Sequence, residues 1–354
     1  MEDGLVLVNR GPLSFQDALL QNLYWFLHPQ SLCLDATGAH VVAQVAEMLA
    51  ASYRQLSFPP QPLETVVKYV PPLAEADYLA ADAKYRQPVM DLARFAQSRL
   101  VPYLSHLFLH GSLATLDYCR GWSDADTFLI VSRDTATDPR RLVELRSLLH
   151  ESYSYLTAID PLQHHGFIVA TEIDLACYPT AHLPPVVLDT ATSLLPGREE
   201  IVFQCRDCVD EIRGAIQSRV VLFRDAVTTG EFRHHARNKV YLQARWRNAH
   251  DAMYQLKYFL AVIMMQPVYY LEAESQACSK RDSFDLCRPL FPEYWDIIER
   301  ASVVRRLWPE RESHPFQSNT VPAWVRTVIG EDYFERGFAL AQAIARRLAG
   351  IATR

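Results

Sequence analysis

Apolar residues recur along this chain with two different periods. Up to residue 100 the helical spacing dominates. Val41 to Tyr53 (VVAQVAEMLAASY) predicts one helix, and Ala81 to Arg99 a second, kinked or begun near Pro88. The proline-rich stretch SFPPQPLETVVKYVPPL between them predicts a connector. Two hydrophobic runs, 103–110 and 127–133, then predict strands. Asp138-Pro139 predicts the start of a helix reaching Tyr153, with the aspartate as cap and the proline in the first turn. A third extended stretch covers residues 156–170, interrupted around His164-His165-Gly166. Thr171-Glu172 caps a short turn or helix. Pro184-Pro185 breaks the chain, and LLPG at 194–197 closes this segment.

From residue 198 the helical period returns. Phe203 to Phe223 predicts one helix and Glu231 to Met265 a long one. Val268 to Ala277 continues after Pro267, and helices over Tyr294–Leu307 and Asp332–Leu348 complete the pattern. The expected class is α+β. A small mixed β-sheet domain occupies 101–197, an N-terminal helical extension 1–100, and a mainly α-helical domain 198–354.

Composition adds limits. The 354 residues, 49% hydrophobic and 21% charged, suffice for two cores. The longest apolar candidate, Tyr258 to Gln266, is far below the roughly 20 residues a membrane span needs. The first residues, MEDGLVLVNRG, lack the pattern of a secretion signal. Seven cysteines, at 33, 119, 177, 205, 208, 278 and 287, show no framework spacing, which suits reduced thiols in the cytoplasm. Cys205-x-x-Cys208 has no second pair or nearby histidines at zinc spacing and reads as helix-embedded core cysteines. Residues 1–200 carry 13 Lys+Arg against 23 Asp+Glu; residues 201–354 carry 22 against 18. The acidic part suits divalent metals and the basic part could face phosphates. Neither is the concentrated basic surface of a long nucleic-acid track.

The chemistry concentrates in Leu107 to Val131, LFLHGSLATLDYCRGWSDADTFLIV. A strand ends in His110-Gly111-Ser112, and after a loop Asp124-Ala125-Asp126 opens the next strand. Strand alternation puts both carboxylates on one face, where they repel unless a cation sits between them. Magnesium or manganese meets that need and binds triphosphate oxygens as well. Gly111 permits a tight turn and close phosphate approach, and Ser112 offers a hydroxyl and a backbone N–H. An ordinary strand-to-helix cap is the competing reading of Gly-Ser.

This order resembles the nucleotidyltransferase superfamily that includes DNA polymerase beta, the CCA-adding enzymes and the small antibiotic nucleotidyltransferases. Gly111-Ser112 falls on its first motif element, residues 113–123 on its spacer and Asp124-Ala125-Asp126 on its second. Gly121 and Ser123 also fit the form G-x-S-D-x-D. The resemblance is specific for 103–131 and extends to about residue 200. It implies transfer of a nucleoside monophosphate from a nucleoside triphosphate, ATP by default, to an acceptor hydroxyl, with pyrophosphate released. It implies a third carboxylate on a later strand. Asp160 is the first choice, Asp174 the second with Glu172 behind it, and His164 or His165 could stand in their place. It also implies a lysine and a hydroxyl from the helical part on the distal phosphates. Lys280 and Ser283, which would share a helical face, are the candidates, together with Lys257 from YQLKYFLAV. A solvated loop, or a snorkelling or paired lysine, is the alternative for these groups. The basic run Arg233, His234, His235, Arg237 and Lys239 reads as surface. Trp122 either contacts a base or the acceptor, or covers the loop; Trp246 and Trp295 read as core. The charge favours a small-molecule or other discrete acceptor over a long nucleic acid. A degenerate scaffold with a nucleotide-binding or regulatory role is the alternative function.

Overall fold

The computed structural model describes residues 15–29, 38–80, 82–160, 166–233, 240–311 and 319–350. The chain divides into two compact units. One comprises described residues within 1–118 and 123–207; the other holds Cys119–Trp122 and the chain from Cys208. The described helices of the first hundred residues share a unit with the sheet segment, and the chain passes to the second unit after Asp207. Mixed α+β architecture is as expected.

The first unit begins with helices α1 (Phe15–Leu27) and α2 (Gly38–Gln55). Strand β1 (Glu64–Tyr69) follows, then α3 (Glu75–Leu79) and α4 (Ala83–Phe95), which carries Pro88 within it and runs on as a wider turn over 96–100. Strand β2 (Leu104–His110), the single turn α5 (Ser112–Thr115) and β3 (Asp126–Val131) carry the motif. After α6 (Arg133–Ala136), α7 (Pro139–Ile159) begins as predicted: Asp138 accepts from the N–H groups of Arg140 and Arg141, with Pro139 in the first turn. Strands β4 (Phe167–Thr171), β5 (Tyr178–Pro179), β6 (Thr192–Ser193) and β7 (Glu200–Arg206) complete the unit.

Two sheets result. The first has strand order β4-β3-β2-β6, with β2 antiparallel to β3 and β4 parallel to β3; the second has order β1-β7-β5. Strand alternation assigns each face of the first sheet a different partner. Leu107, Leu109, Leu129, Val131 and Val169 pack with Leu23, Leu49, Leu92 and Leu145 of the helices. Phe108, Phe128, Ile130 and Ala170 pack with Val70, Tyr178, Ile201 and Phe203 on the second-sheet side. Helices, sheet and sheet form three layers, and β3 is buried on both faces. That explains its unbroken apolar run.

Two of these strands correct the expected pattern. The connector holds β1, paired antiparallel with β7, where a helix from Phe203 was expected. In β7 the buried Ile201, Phe203 and Cys205 alternate with Glu200, Val202 and Gln204, a period of two that outweighs helix propensity. Flanking prolines are compatible with β1 because it is an edge strand.

The second unit starts with α8 (Val209–Thr229), which ends at Gly230 in the left-handed region. The long helix predicted over 231–265 is replaced by β8 (Glu231–Arg233) paired with β9 (Val240–Gln243), short turns, and α9 (Met253–Met264). Helices α10 (Gln266–Ala273), α11 (Lys280–Cys287), α12 (Asp296–Arg311), α13 (Ala323–Ile329) and α14 (Tyr333–Leu348) follow. Phe223, Phe232, Phe259, Tyr333 and Phe334 form its aromatic core. Trp246 and Trp295 are buried, as expected. Cys205 lies on β7 and Cys208 caps α8; both are buried, and no disulfide forms among the described cysteines. No helix among the described residues is long and apolar enough to cross a membrane.

A buried carboxylate ties α1 and α2 to the end of β4. Asp174 accepts from the Thr171 N–H at 2.9 Å and hydroxyl at 2.7 Å, from Gln16 Nε2 at 3.3 Å and from the Tyr53 hydroxyl at 3.3 Å. Burial pushes its pKa up to about 6 despite these donors. The folded protein thus holds this proton more tightly than the unfolded chain. The stability it confers is full below about pH 4 and is lost as pH rises through about 6. The unfolding free energy of the wild type, measured in urea against Asp174→Asn, should fall by roughly 3 kcal/mol between pH 4 and 7. A difference that stays flat with pH contradicts this assignment.

Candidate functional site

Antiparallel pairing of β2 with β3 places His110 directly opposite Asp126. The two motif halves, separated in sequence by the spacer, therefore meet at one end of the sheet. Beyond His110 the chain turns at Gly111 with φ +68° and ψ −157°, a conformation that a side chain makes costly. Space is limiting there too. A Cβ at this position would stand 2.5 Å from Asp126 Oδ2. The missing side chain leaves a cradle in which the Asp126 carboxylate lies against the glycine backbone. Ser112 then opens α5, whose Ala114 and Thr115 N–H groups both donate to the Gly111 carbonyl at 3.1 Å.

Asp124 and Asp126 are half-buried, whereas Ala125 between them is buried among the helix-side apolar residues. By alternation Asp126 shares a face with Phe128 and Ile130. The two carboxylates thus flank one buried position at the mouth of a strand covered on both sides; the strand begins at Asp126, and Asp124 precedes it. Two carboxylates suit magnesium, which proteins commonly hold with one or two carboxylates, phosphate oxygens supplying the rest.

The expected third carboxylate does not join them. Asp160 caps the C-terminus of α7, donates its N–H to the Leu156 carbonyl and is 1% exposed. Among the described residues, no three His, Cys, Asp or Glu gather as a metal-holding group. Asp174 and Glu172 stand beyond the other end of β4. Because β4 runs parallel to β3, with Thr127 beside Phe167, they are roughly 20 Å along the sheet from Asp126. Both are also engaged locally: Asp174 as above, and Glu172 accepting the Arg133 N–H at 2.7 Å. His164 and His165 lie outside the described residues, as do His234, His235, Arg237 and Lys239.

The candidate phosphate ligands belong to the second unit. Lys257 is buried in α9. Lys280 is exposed at the first position of α11, and Ser279 caps that helix by accepting from the Asp282 N–H. Ser283 is fully buried and donates its hydroxyl to the Lys280 carbonyl at 2.7 Å. Lys280 and Ser283 therefore do not present a common open face; three-residue spacing sets direction, and packing has covered the serine. Trp122 is 8% exposed and meets Trp308 edge-on at 5.2 Å.

Sequence reasoning passed over the residues that hold this loop. Tyr118 stacks on Tyr85 at 5.0 Å and donates to Asp82 Oδ2 at 2.5 Å. Arg86 Nε donates to the Tyr118 hydroxyl at 3.0 Å, and Tyr85 donates to the Ser123 carbonyl at 3.5 Å. The one sequence signal was an aspartate at the start of α4, which suggests a cap and nothing more.

Comparison with protein-family models, curated proteins and solved structures finds no match to this chain.

Replacing Gly111 by alanine is expected to displace the Asp126 carboxylate and strain the backbone at once. Urea denaturation should show a loss of roughly 1–3 kcal/mol. An unchanged unfolding midpoint contradicts the close approach at this position.

Proposed function

We propose that this chain is a metal-dependent nucleotidyltransferase. In this reading the first unit has the family's fold and the site lies at the mouth of β2 and β3. The observation that carries the reading is the juxtaposition of Gly111 with Asp126. A glycine-only turn abuts a carboxylate that has a second carboxylate two residues before it. The same residues carry the resemblance to the family. ATP is the default donor. The overall charge of -6 favours a small molecule or another discrete acceptor over a long nucleic acid.

The chain's own residues divide the work. Asp124 and Asp126 would hold magnesium or manganese, which offsets the charge of the triphosphate when bound. Gly111 lets the Asp126 carboxylate lie close against the backbone beside the phosphates, and Ser112 supplies a hydroxyl and an N–H for them. The acceptor hydroxyl oxygen bonds to the α-phosphorus as the bond to the pyrophosphate oxygen breaks. The hydroxyl proton passes to water, and pyrophosphate departs. Half-burial of the two aspartates limits the water around the reacting phosphates and strengthens the charge interactions there.

Ligand that binds only the folded state raises apparent stability. Thermal unfolding with each of the four ribonucleoside triphosphates, with and without magnesium or manganese, should show a metal-dependent rise for at least one. Asp124→Asn and Asp126→Asn should each abolish it. At a triphosphate concentration 100 times the Kd, the rise corresponds to about 2.7 kcal/mol. No rise in folded wild type counts against the reading. A metal-dependent rise without pyrophosphate release in an acceptor screen assigns a nucleotide-binding role instead.

A further inference from the structure

The loop between the two motif halves makes an excursion. Leu107 to Tyr118 belong to the first unit, Cys119–Trp122 to the second, and the chain returns to the first at Ser123. Asp124 follows one residue later. The excursion is anchored within the second unit by the contact of Trp122 with Trp308, and it closes on itself through the Trp122 N–H donating to the Cys119 carbonyl at 3.0 Å. Asp124 thus follows directly on a segment that packs in the second unit, while the base of the loop belongs to the first.

It is held at both ends by the first turn of α4. At the outgoing end, Tyr118 stacks on Tyr85 with ring planes 16° apart and donates to Asp82. At the returning end, the Tyr85 hydroxyl reaches the Ser123 carbonyl. Arg86 fastens this turn from behind. It is 4% exposed, donates to the Tyr118 hydroxyl and to the Tyr78 carbonyl at 2.5 Å, and lies over the rings of Tyr78 and Tyr118. Ser123 is itself buried, and Ala125 is locked into the helix-side core, so the backbone around Asp124 is fixed on both sides. Nearer the glycine, Thr115 closes the first part of the loop by donating to the Asp117 carboxylate at 2.5 Å.

We propose that Tyr85 and Tyr118, backed by Asp82 and Arg86, are positioning residues for Asp124. They form a clamp that sets the separation of the two metal-binding carboxylates independently of the excursion. This rests on the nucleotidyltransferase reading of the site. The clamp acts through backbone placement. Its loss should therefore loosen the metal more than the triphosphate, and should leave the fold intact.

Tyr85→Phe and Tyr118→Phe each remove one hydroxyl and keep the stacked rings. Manganese affinity in the presence of each triphosphate that binds, read by the electron paramagnetic resonance of free manganese, should weaken about tenfold, as when groups supporting metal ligands are lost. Triphosphate affinity without metal and the unfolding midpoint should stay at wild-type values in at least the milder variant, Tyr85→Phe. A purely structural role would move stability and both affinities together, and that result overturns the clamp. Wild type that binds manganese and triphosphate, with variants of equal manganese affinity, removes the clamp and leaves the site reading standing. Wild type that binds no manganese–triphosphate complex removes both.

Discussion

Burial of β3 on both faces is the constraint on which the first unit depends. Helices cover one side and the second sheet lies on the other, so the strand needs apolar residues at every position from Phe128 to Val131. Such a strand can accept charge only where its cover ends. Asp124 and Asp126 stand at that edge, and their half-burial follows from it. Strand β2 matches this limit. Its last residue, His110, pairs with Asp126, and the glycine that ends it leaves the carboxylate its space. The same packing that builds the core therefore delivers two carboxylates and a side-chain-free turn to one place.

The opposite ends of the parallel strands are built differently. There Asp174 and Glu172 are absorbed by local hydrogen bonds from Thr171, Gln16, Tyr53 and Arg133. One end of the sheet uses its carboxylates to fasten helices, while at the other Asp124 and Asp126 stand half-buried. A buried ionisable group with four donors is an expensive fastening, because burial opposes its charge. It nonetheless fixes α1 and α2 against β4. The ion pair of Arg206 with Asp17, at 2.6 Å and largely covered, joins α1 to β7 in the same region.

Much of this was legible in the sequence, and for particular reasons. Strands β2 and β3 announce themselves because burial on two faces leaves an unbroken apolar run. The start of α7 is written in two adjacent residues, Asp138 and Pro139. Gly111, Ser112, Asp124 and Asp126 could be picked out together because each is tied to the strand beside it. Other features depend on partners far along the chain. Strand β1 is stable only against β7, some 130 residues later, and its flanking prolines hide it. The role of Asp174 is set by Gln16 and Tyr53, which are 158 and 121 residues away. Residues 231–265 carry good helix formers, yet Gly230 ends one helix and the pairing of β8 with β9 takes the next stretch. Ser283 had the right spacing from Lys280, but spacing does not tell how deeply a residue is packed.

The excursion of Cys119–Trp122 has a bearing on how the molecule can be divided. The backbone passes between units after Tyr118, before Ser123 and after Asp207, so the two units are interleaved in sequence. A chain ended at Asp207 would keep every strand of both sheets and every helix beneath them, yet it would strip Trp122 of its neighbour Trp308. A large indole two residues from Asp124 would then lack that edge-on contact. Dissection of the chain after Asp207 would therefore remove a ring against which Trp122 packs, close in sequence to Asp124.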